Sequence, residues 1–408
     1  MNTGFDINII RKDFPILCQK VYNKPFVYLD NAATTQKPKI LIKRLSDFYS
    51  NENSSIHRAV NFMSKKATQL YEESREEVKK FINANQNSEI IFTSGATSSI
   101  NLIANSFGEK FINKGDEIII SELEHHSNIV PWQIICKKKE AILRIIPLNE
   151  AGELNIEEYQ KLLNKKTKIV AVSHASNSLG TINPVKEIIK LAHNCNIPVL
   201  IDGAQAVPHL KIDVQDLNCD FYVFSGHKIY GPTGIGVLFG KEKWLKEIPP
   251  YQGGGEMIKN VSFKKTTYAL PPFKFEAGTT NYAGAIGLAT AINYFSSLGI
   301  DNILKHEKSL LNYLTTSLSE IKNLRILGKS NKKIGVVSFY LENINPFDTG
   351  SMLDKMGIAV RTGTLCTQPV MDHYNIDGAV RVSLGLYNIK DEIDILIKAL
   401  LEINEIFV

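Results

Sequence analysis

The chain has 408 residues, 44% of them hydrophobic and 22% charged, with 47 Lys and Arg against 42 Asp and Glu for a formal charge of +5. That length permits two or three domains around a substantial core, and the composition is that of an ordinary soluble globular chain. Basic residues are scattered, with short runs only at Lys137-Lys138-Lys139 and Lys264-Lys265, which excludes the clustered stripe that nucleic acid requires. No apolar stretch reaches the roughly eighteen residues of a transmembrane helix. Met1 to Asp13 shows no basic segment followed by an apolar core, so the expectation is a cytoplasmic protein with no membrane partner.

From about Val27 to Phe239 short apolar runs alternate with amphipathic segments. The pattern predicts strands at Glu89-Ile90-Ile91-Phe92, Glu117 to Ile120, Lys168 to Val172, Ile197 to Ile201 and Phe221 to Phe224, with helices at Ala96 to Phe107 and Val185 to Asn194. Several of these strands are continuous apolar runs, as expected of strands buried on both faces. Strand–helix alternation of this kind implies a mostly parallel sheet covered by helices. Gly236 to Phe239 is expected to pair beside Val223-Phe224. After about Ala283 the pattern becomes helical through Phe295 and from Ile303 to Ile321. A strand at Val336 to Phe339, a helix at Asp348 to Met356, a strand at Ala379 to Ser383 and a final helix from Lys390 read as a smaller α+β domain.

The chemistry-bearing residues follow the candidate strands, where an α/β sheet gathers its ligand site. Thr93-Ser94-Gly95-Ala96-Thr97 leaves a strand and opens a helix, so backbone N–H groups near Ala96 and Thr97 can meet an anion at the positive helix end. Gly278-Thr279-Thr280 is a second small polar turn suited to the same task. His125, after the Ile118 strand, offers a planar imidazole to stack on a ring. Asn177 and Gln205 can reach a ring oxygen. Asp202 ends one apolar strand, and Lys228 lies at the lip of another in Ser225-Gly226-His227-Lys228. An amine with an acid partner across a site is what pyridoxal phosphate (PLP) demands, one for covalent attachment and the other for the pyridinium nitrogen. Taken singly, each of these features is an ordinary turn, cap or surface residue; together, at one sheet edge, they form a candidate cofactor site.

Asp202-Gly203-Ala204-Gln205 followed by Ser225-Gly226-His227-Lys228 resembles the signature of the class V aminotransferase family, fold type I PLP enzymes. More narrowly, the chain is similar to the Suf-type cysteine desulfurases, which include selenocysteine lyase-like members. The similarity extends to Leu29 through Pro38, Ile56-His57-Arg58, Glu124 through Gln133, Phe275 through Thr279 and Arg361 through Pro369. It implies a large domain over 22–288 with a mostly parallel seven-stranded sheet flanked by helices. Residues 1–21 and 289–408 would form the small α+β domain that carries a catalytic cysteine loop. It further implies Lys228 as the Schiff-base lysine, Asp202 on the pyridine nitrogen, His125 as the stacking imidazole and Gln205 at the ring oxygen. Ala96, Thr97, Ser225 and His227 would hold the phosphate, joined by Thr279 from the other subunit of a homodimer. Arg381, with Asn177, Arg361 and His57, would bind the substrate, and the guanidinium fork suits a carboxylate.

The five cysteines are Cys18, Cys136, Cys195, Cys219 and Cys366. An odd number without Cys-x-x-Cys spacing favours neither a disulfide framework nor a zinc site, and no metal is expected. Four sit in apolar or helical surroundings that suit a small buried side chain. Cys366 lies instead in the turn-rich run Arg361 to Pro369, expected to be exposed and mobile and suited to a nucleophilic thiolate. The resemblance makes Cys366 the acceptor that takes sulfur from L-cysteine as a persulfide and releases L-alanine, supplying iron–sulfur clusters. Lys228 would move the α-proton.

The loop departs from the family run Arg-x-Gly-His-His-Cys-Ala. Thr364, Leu365 and Thr367 replace the two histidines and the alanine, which leaves open how Cys366 is activated. The short spacing from Gly357 to Cys366 fits the Suf-type loop and implies a sulfur-acceptor protein of the SufE or SufU type. The alternatives are a selenocysteine lyase acting on L-selenocysteine, an aminotransferase-like member, and a catalytically silent binding protein; Cys366 speaks against transamination, which needs no thiol.

Overall fold

Seven short segments assemble into the central sheet of this computed structural model, which describes residues 5–58 and 60–407. They are β1 (Ile90–Thr93), β2 (Glu117–Ser121), β3 (Ile142–Ile146), β4 (Thr167–Ser173), β5 (Val199–Asp202), β6 (Phe221–Ser225) and β7 (Gly236–Gly240). Their order is β1-β7-β6-β5-β4-β2-β3. β2 to β6 run parallel to one another, and β7 is antiparallel to both β1 and β6. β2, β5, β6 and β7 are buried at every residue, as sheets covered on both faces require. Ile118 and Ile120 pack on one face with Ile100, Ile103 and Phe107 of the helix Ala96–Phe111. Ile119 and Val170 face the opposite core, which contains Val185, Ile188 and Ile189.

The alternation expected from the sequence is present, and β7 pairs beside β6 with Val237 opposite Phe224. Three elements lie outside that expectation. β3 is an edge strand with exposed Ile142, Arg144 and Ile145, so it carries no buried apolar run. The helices Lys39–Asn51 and Phe62–Phe81 pack beside Tyr282–Ser297. The helical region after Ala283 is two helices, Tyr282–Ser297 and Ile300–Ser319, bent by 76°. Gly299 makes the break at φ +78°, a left-handed conformation that glycine adopts without a Cβ clash. Among the described residues no single helix is long and apolar enough to cross a membrane.

A second sheet is wholly antiparallel: β8 (Leu324–Ile326), β9 (Val336–Leu341), β10 (Arg361–Gly363) and β11 (Ala379–Ser383), in the order β8-β9-β11-β10. Its core joins Val337, Phe339, Val380 and Val382 to Leu314, Leu353, Leu396 and Leu400 from three helices. The N-terminal region is stitched to this sheet. Val27–Tyr28 pairs in parallel with Ile358–Ala359, and Asp30 bridges to Ser383. That stitch positions Asp30 for the site.

Candidate active site

A cavity of about 510 Å³ opens at the carboxyl ends of β4, β5 and β6, with the loop after β10 across it. Strand register builds its floor. Ser173 at the end of β4 pairs with Asp202 at the end of β5, and Asp202 pairs with Val223 of β6. Gly236 lies between Thr93 and Ser225. A Cβ on Gly236 would come within 2.4 Å of Gly95 Cα, so only glycine lets the turn after β1 close onto β6. The Ala96 N–H then donates to Ser225 Oγ at 2.8 Å. The cavity therefore meets the positive end of a 16-residue helix at Ala96 and Thr97, beside Ser225 and His227, a group of donors suited to a phosphate.

The turn bearing the lysine is held from behind. The His227 carbonyl accepts from Thr35 N–H at 3.1 Å, Thr35 Oγ1 at 3.0 Å, Thr34 Oγ1 at 3.2 Å and Lys37 Nζ at 2.9 Å. Burial pulls Lys37 down to about 7. Desolvation also draws His227 down to about 4, helped by Lys228 and Lys37.

Lys228 and Asp202 both line the cavity. Removal from water lowers Lys228 to about 8, opposed by the charge of Asp202, while Arg381 adds to the lowering. Burial raises the Asp202 carboxyl; the Ala204 N–H at 2.9 Å and Lys228 favour its charged form. His125 is pushed down to about 3 by burial, then by Lys228, His126 and Arg381, so its ring is neutral. Its Nδ1 accepts the Ser127 N–H at 3.1 Å, which puts the ring proton on Nε2. Beneath it Glu124 is fully buried, accepting from Ser121 Oγ, Asn128 Nδ2 at 2.7 Å and Ser173 N–H at 2.9 Å. Burial lifts its carboxyl to about 7. Gln205 also lines the cavity, and its Nε2 donates to Ala32 O at 2.7 Å.

The opposite wall belongs to the second sheet. Arg361 and Arg381 are direct cross-strand partners, so both guanidinium groups project from the same face. One carboxylate serves both: Asp30 Oδ2 accepts from Arg361 Nη2 at 2.7 Å, and Oδ1 from Arg381 Nη2 at 3.0 Å. Arg381 also donates to Asn177 O at 3.0 Å, while its buried Nε makes no hydrogen bond within the described residues. Arg381 is 3% exposed, a buried cation rather than the surface residue that a lone strand arginine suggests. Two positive charges against one carboxylate suit a small anionic substrate.

Cys366 is exposed at the cavity mouth. The expectation of a loose loop is revised by its contacts. Asn177 Nδ2 donates to Leu365 O at 2.8 Å, His126 N–H donates to Cys366 O at 2.9 Å, and Thr367 N–H closes a turn onto Thr364 O at 2.9 Å. Asn177 thus holds the loop through its side chain and Arg381 through its carbonyl.

Of the residues singled out in the sequence, twelve line this cavity and two do not. His57 is held elsewhere in its own chain, 3.4 Å from Glu72 and 3.8 Å from Glu256, between Tyr71 and Phe273. Within a single chain His57 therefore stays outside the cavity that holds the other expected substrate residues. Thr279 is exposed and also outside the cavity. Cys136 and Cys219 are buried as expected, whereas Cys18 and Cys195 are exposed; each of these two sits at the end of a short helical segment, where helical pattern does not ensure burial. Asp30, Glu124, Ser173 and Thr362 escaped the sequence reading as site residues. Asp30, Glu124 and Thr362 fall within the stretches that carried the resemblance, which was the available signal.

Residues 27–396 match the family model described as Aminotransferase class-V. A cysteine desulfurase of Dickeya dadantii is 48% identical over 403 residues, covering 98% of each chain. The chain belongs to this class-V family, and its relatives include cysteine desulfurases. A probable cysteine desulfurase of Mycolicibacterium paratuberculosis is 49% identical over 98% of this chain, which spans 58% of that protein's length. Two further curated relatives, of Synechococcus elongatus and Mycobacterium leprae, are likewise longer, the chain spanning 64% and 66% of them. Among solved structures, the apo cysteine desulfurase of Thermococcus onnurineus superposes with a TM-score of 0.92 at 37% identity, over 98% of both chains. The class-V family is one of fold type I enzymes, which agrees with the sheet order and the cavity at its carboxyl edge.

Proposed function

We propose that the chain is a PLP-dependent cysteine desulfurase that converts L-cysteine to L-alanine and retains the sulfur on Cys366. The observation that carries this reading is one cavity lined by Lys228, Asp202 and His125 from the large sheet and by Cys366 and Arg381 from the small one. The donor set fits the cofactor: a helix N-terminus with Ser225 and His227 for its phosphate, Asp202 for the pyridine nitrogen, Gln205 and Asn177 for the ring oxygen, and Lys228 Nζ for covalent attachment. When bound, PLP supplies the electron sink that acidifies the substrate α-proton and turns its thiol into a leaving group.

The protein's own residues do the rest. The Arg381 guanidinium, helped by Arg361, holds the substrate carboxylate. Lys228, with its amine near neutrality, accepts and returns protons. His125 keeps its ring neutral and its Nε2 proton directed to the site. Cys366 Sγ, as thiolate, bonds to the substrate sulfur while the substrate Cβ–S bond breaks; the electron pair left at Cβ takes a proton and alanine departs. Thiol plus cysteine becomes persulfide plus alanine, with no outside oxidant.

The remaining parts of the reading follow the family. A homodimer would bring Thr279 of one subunit to the other's phosphate site, which accounts for its exposure in a single chain. The large domain proposed over residues 22–288 contains the whole seven-stranded sheet, with its N-terminal stretch Val27–Tyr28 paired to Ile358–Ala359 of the small domain. A SufE- or SufU-type acceptor would carry the sulfur to iron–sulfur cluster assembly in the cytoplasm.

The test is Cys366→Ser. The variant should keep the yellow absorbance of bound cofactor and lose alanine formation from L-cysteine by at least about 10²-fold. Unchanged desulfuration would remove Cys366 as the sulfur acceptor. Running L-selenocysteine beside L-cysteine separates the lyase reading, since an activity confined to selenocysteine would replace the desulfurase.

A further inference from the structure

The loop that carries Cys366 places two consecutive non-glycine residues in the left-handed region, Leu365 at φ 56° and Cys366 at φ 57°. Such a pair is unfavourable for L-residues and persists only where the surroundings hold it. Asn177 grips the first of the two, at Leu365 O. The cysteine itself is gripped by His126, whose backbone N–H donates to Cys366 O at 2.9 Å. The His126 imidazole reaches past the cysteine, and its Nε2 accepts the Gln368 N–H at 3.0 Å. His126 therefore bonds at Cys366 and again two residues downstream. Because Nε2 is an acceptor here, the ring proton sits on Nδ1.

Its neighbour His125 lines the cavity and accepts the Ser127 N–H. One short segment after β2 thus addresses the cofactor end of the site with one imidazole and the sulfur-accepting loop with the next. Thr364 and Leu365 supply no imidazole from within the loop itself.

We infer that His126 is a positioning residue for the sulfur-transfer step: its backbone and ring clamp the chain at Cys366 and two residues beyond it, and hold the left-handed turn that aims the thiol into the cavity. The inference rests on Cys366 being the sulfur acceptor. It assigns no proton transfer to His126; its part is geometric.

The experiment compares His126→Ala and His126→Gln in the holoenzyme and in the cofactor-free protein. Both variants keep the backbone bond to Cys366 O. Glutamine places its Oε1 where Nε2 stood and can accept the Gln368 N–H; alanine cannot. In the holoenzyme, H126A should form the Cys366 persulfide about five- to tenfold more slowly in a single turnover, as expected for one lost hydrogen bond in the aligned state. KM for L-cysteine and cofactor content should stay within about twofold, because Lys228, Asp202 and Arg381 are untouched. H126Q should recover most of the lost rate. A wild-type rate in H126A, or an H126Q no faster than H126A, overturns the inference.

Hydrogen exchange of the cofactor-free protein provides the second readout. The Gln368 amide should exchange faster in H126A and return towards wild type in H126Q. Unchanged exchange in H126A removes the clamp whatever the kinetics show. A wild-type enzyme that forms no persulfide on Cys366 would instead overturn the desulfurase reading, with the exchange result still deciding the clamp.

Discussion

At the rim of the large sheet, Asp202, Ser225 and Lys228 follow strands buried at every residue, so their positions are set by backbone register and by a core that cannot shift without opening voids. Across the cavity, residues 364–369 leave the three-residue strand β10 of the small sheet and turn back through two left-handed residues. This loop is held by one hydrogen bond from Asn177 and two with His126, both of which follow strands of the large sheet. The rim is rigid by packing, and the loop is placed by a few polar contacts. The difference suits the proposed tasks: a cofactor stays in one place, while a thiol that took up sulfur would afterwards have to present it to another molecule.

The largest effect expected of this contrast is at the rim. Lys228→Ala should lower desulfuration by about 10²–10⁴-fold, the range for losing a positioned proton carrier, and should leave PLP removable by gel filtration. In the wild-type apoprotein, the lowered pKa of Lys228 means that the amine is protonated and unreactive well below pH 8 and neutral above it. Covalent capture of PLP should therefore rise with pH and level off above about 8. A rate still climbing towards pH 10.5, the range of an ordinary lysine, would show that burial does not tune this amine.

The two arginines give an intermediate comparison, since they share Asp30 but differ in setting. Arg381 on β11 has a side chain 4% exposed, and Arg361 at the start of β10 one 50% exposed. Arg381→Lys should raise KM for L-cysteine about 10- to 100-fold, equivalent to one charge-assisted hydrogen bond of ~1.5–3 kcal/mol. Arg361→Lys should raise it by less than about fivefold, because water screens an exposed pair. Equal effects would mean that the carboxylate is held jointly rather than by the buried arginine.

The smallest effect lies in the loop's anchor. Asn177→Ala leaves Leu365 O without its donor, at a local cost of ~1–3 kcal/mol. Hydrogen exchange should quicken over residues 364–368 while β5 and β6 remain protected. Spread of the change into those strands would show that rim and loop are one cooperative unit.

Much of the rim was legible before any coordinates. Continuous apolar runs ending in Asp202 or in Ser225 to Lys228 mark buried parallel strands and their carboxyl ends, because burial on both faces leaves no room for polar residues until the strand stops. The edge strand β3 was not legible, since Arg144 and exposed Ile142 and Ile145 erase the buried signature. The break at Gly299 was hidden inside a helical pattern that continues on both sides. Among site residues, Cys366 was visible as a loop cysteine, but the means of holding it was not.

By itself the sequence determined the sheet-covered α/β class, the strand-end residues and the family, because local periodicity and short motifs are properties of neighbouring residues. Only the tertiary structure decided that Asp30 balances Arg361 and Arg381, that His126 and Asn177 grip the Cys366 loop, and that His57 lies outside the cavity of its own chain. Those contacts join residues as far apart as 351 positions. Nothing local in the chain specifies such a pairing; it arises from strand register, which sets opposite Arg361 and Arg381 side by side and brings Asp30 to the end of β11.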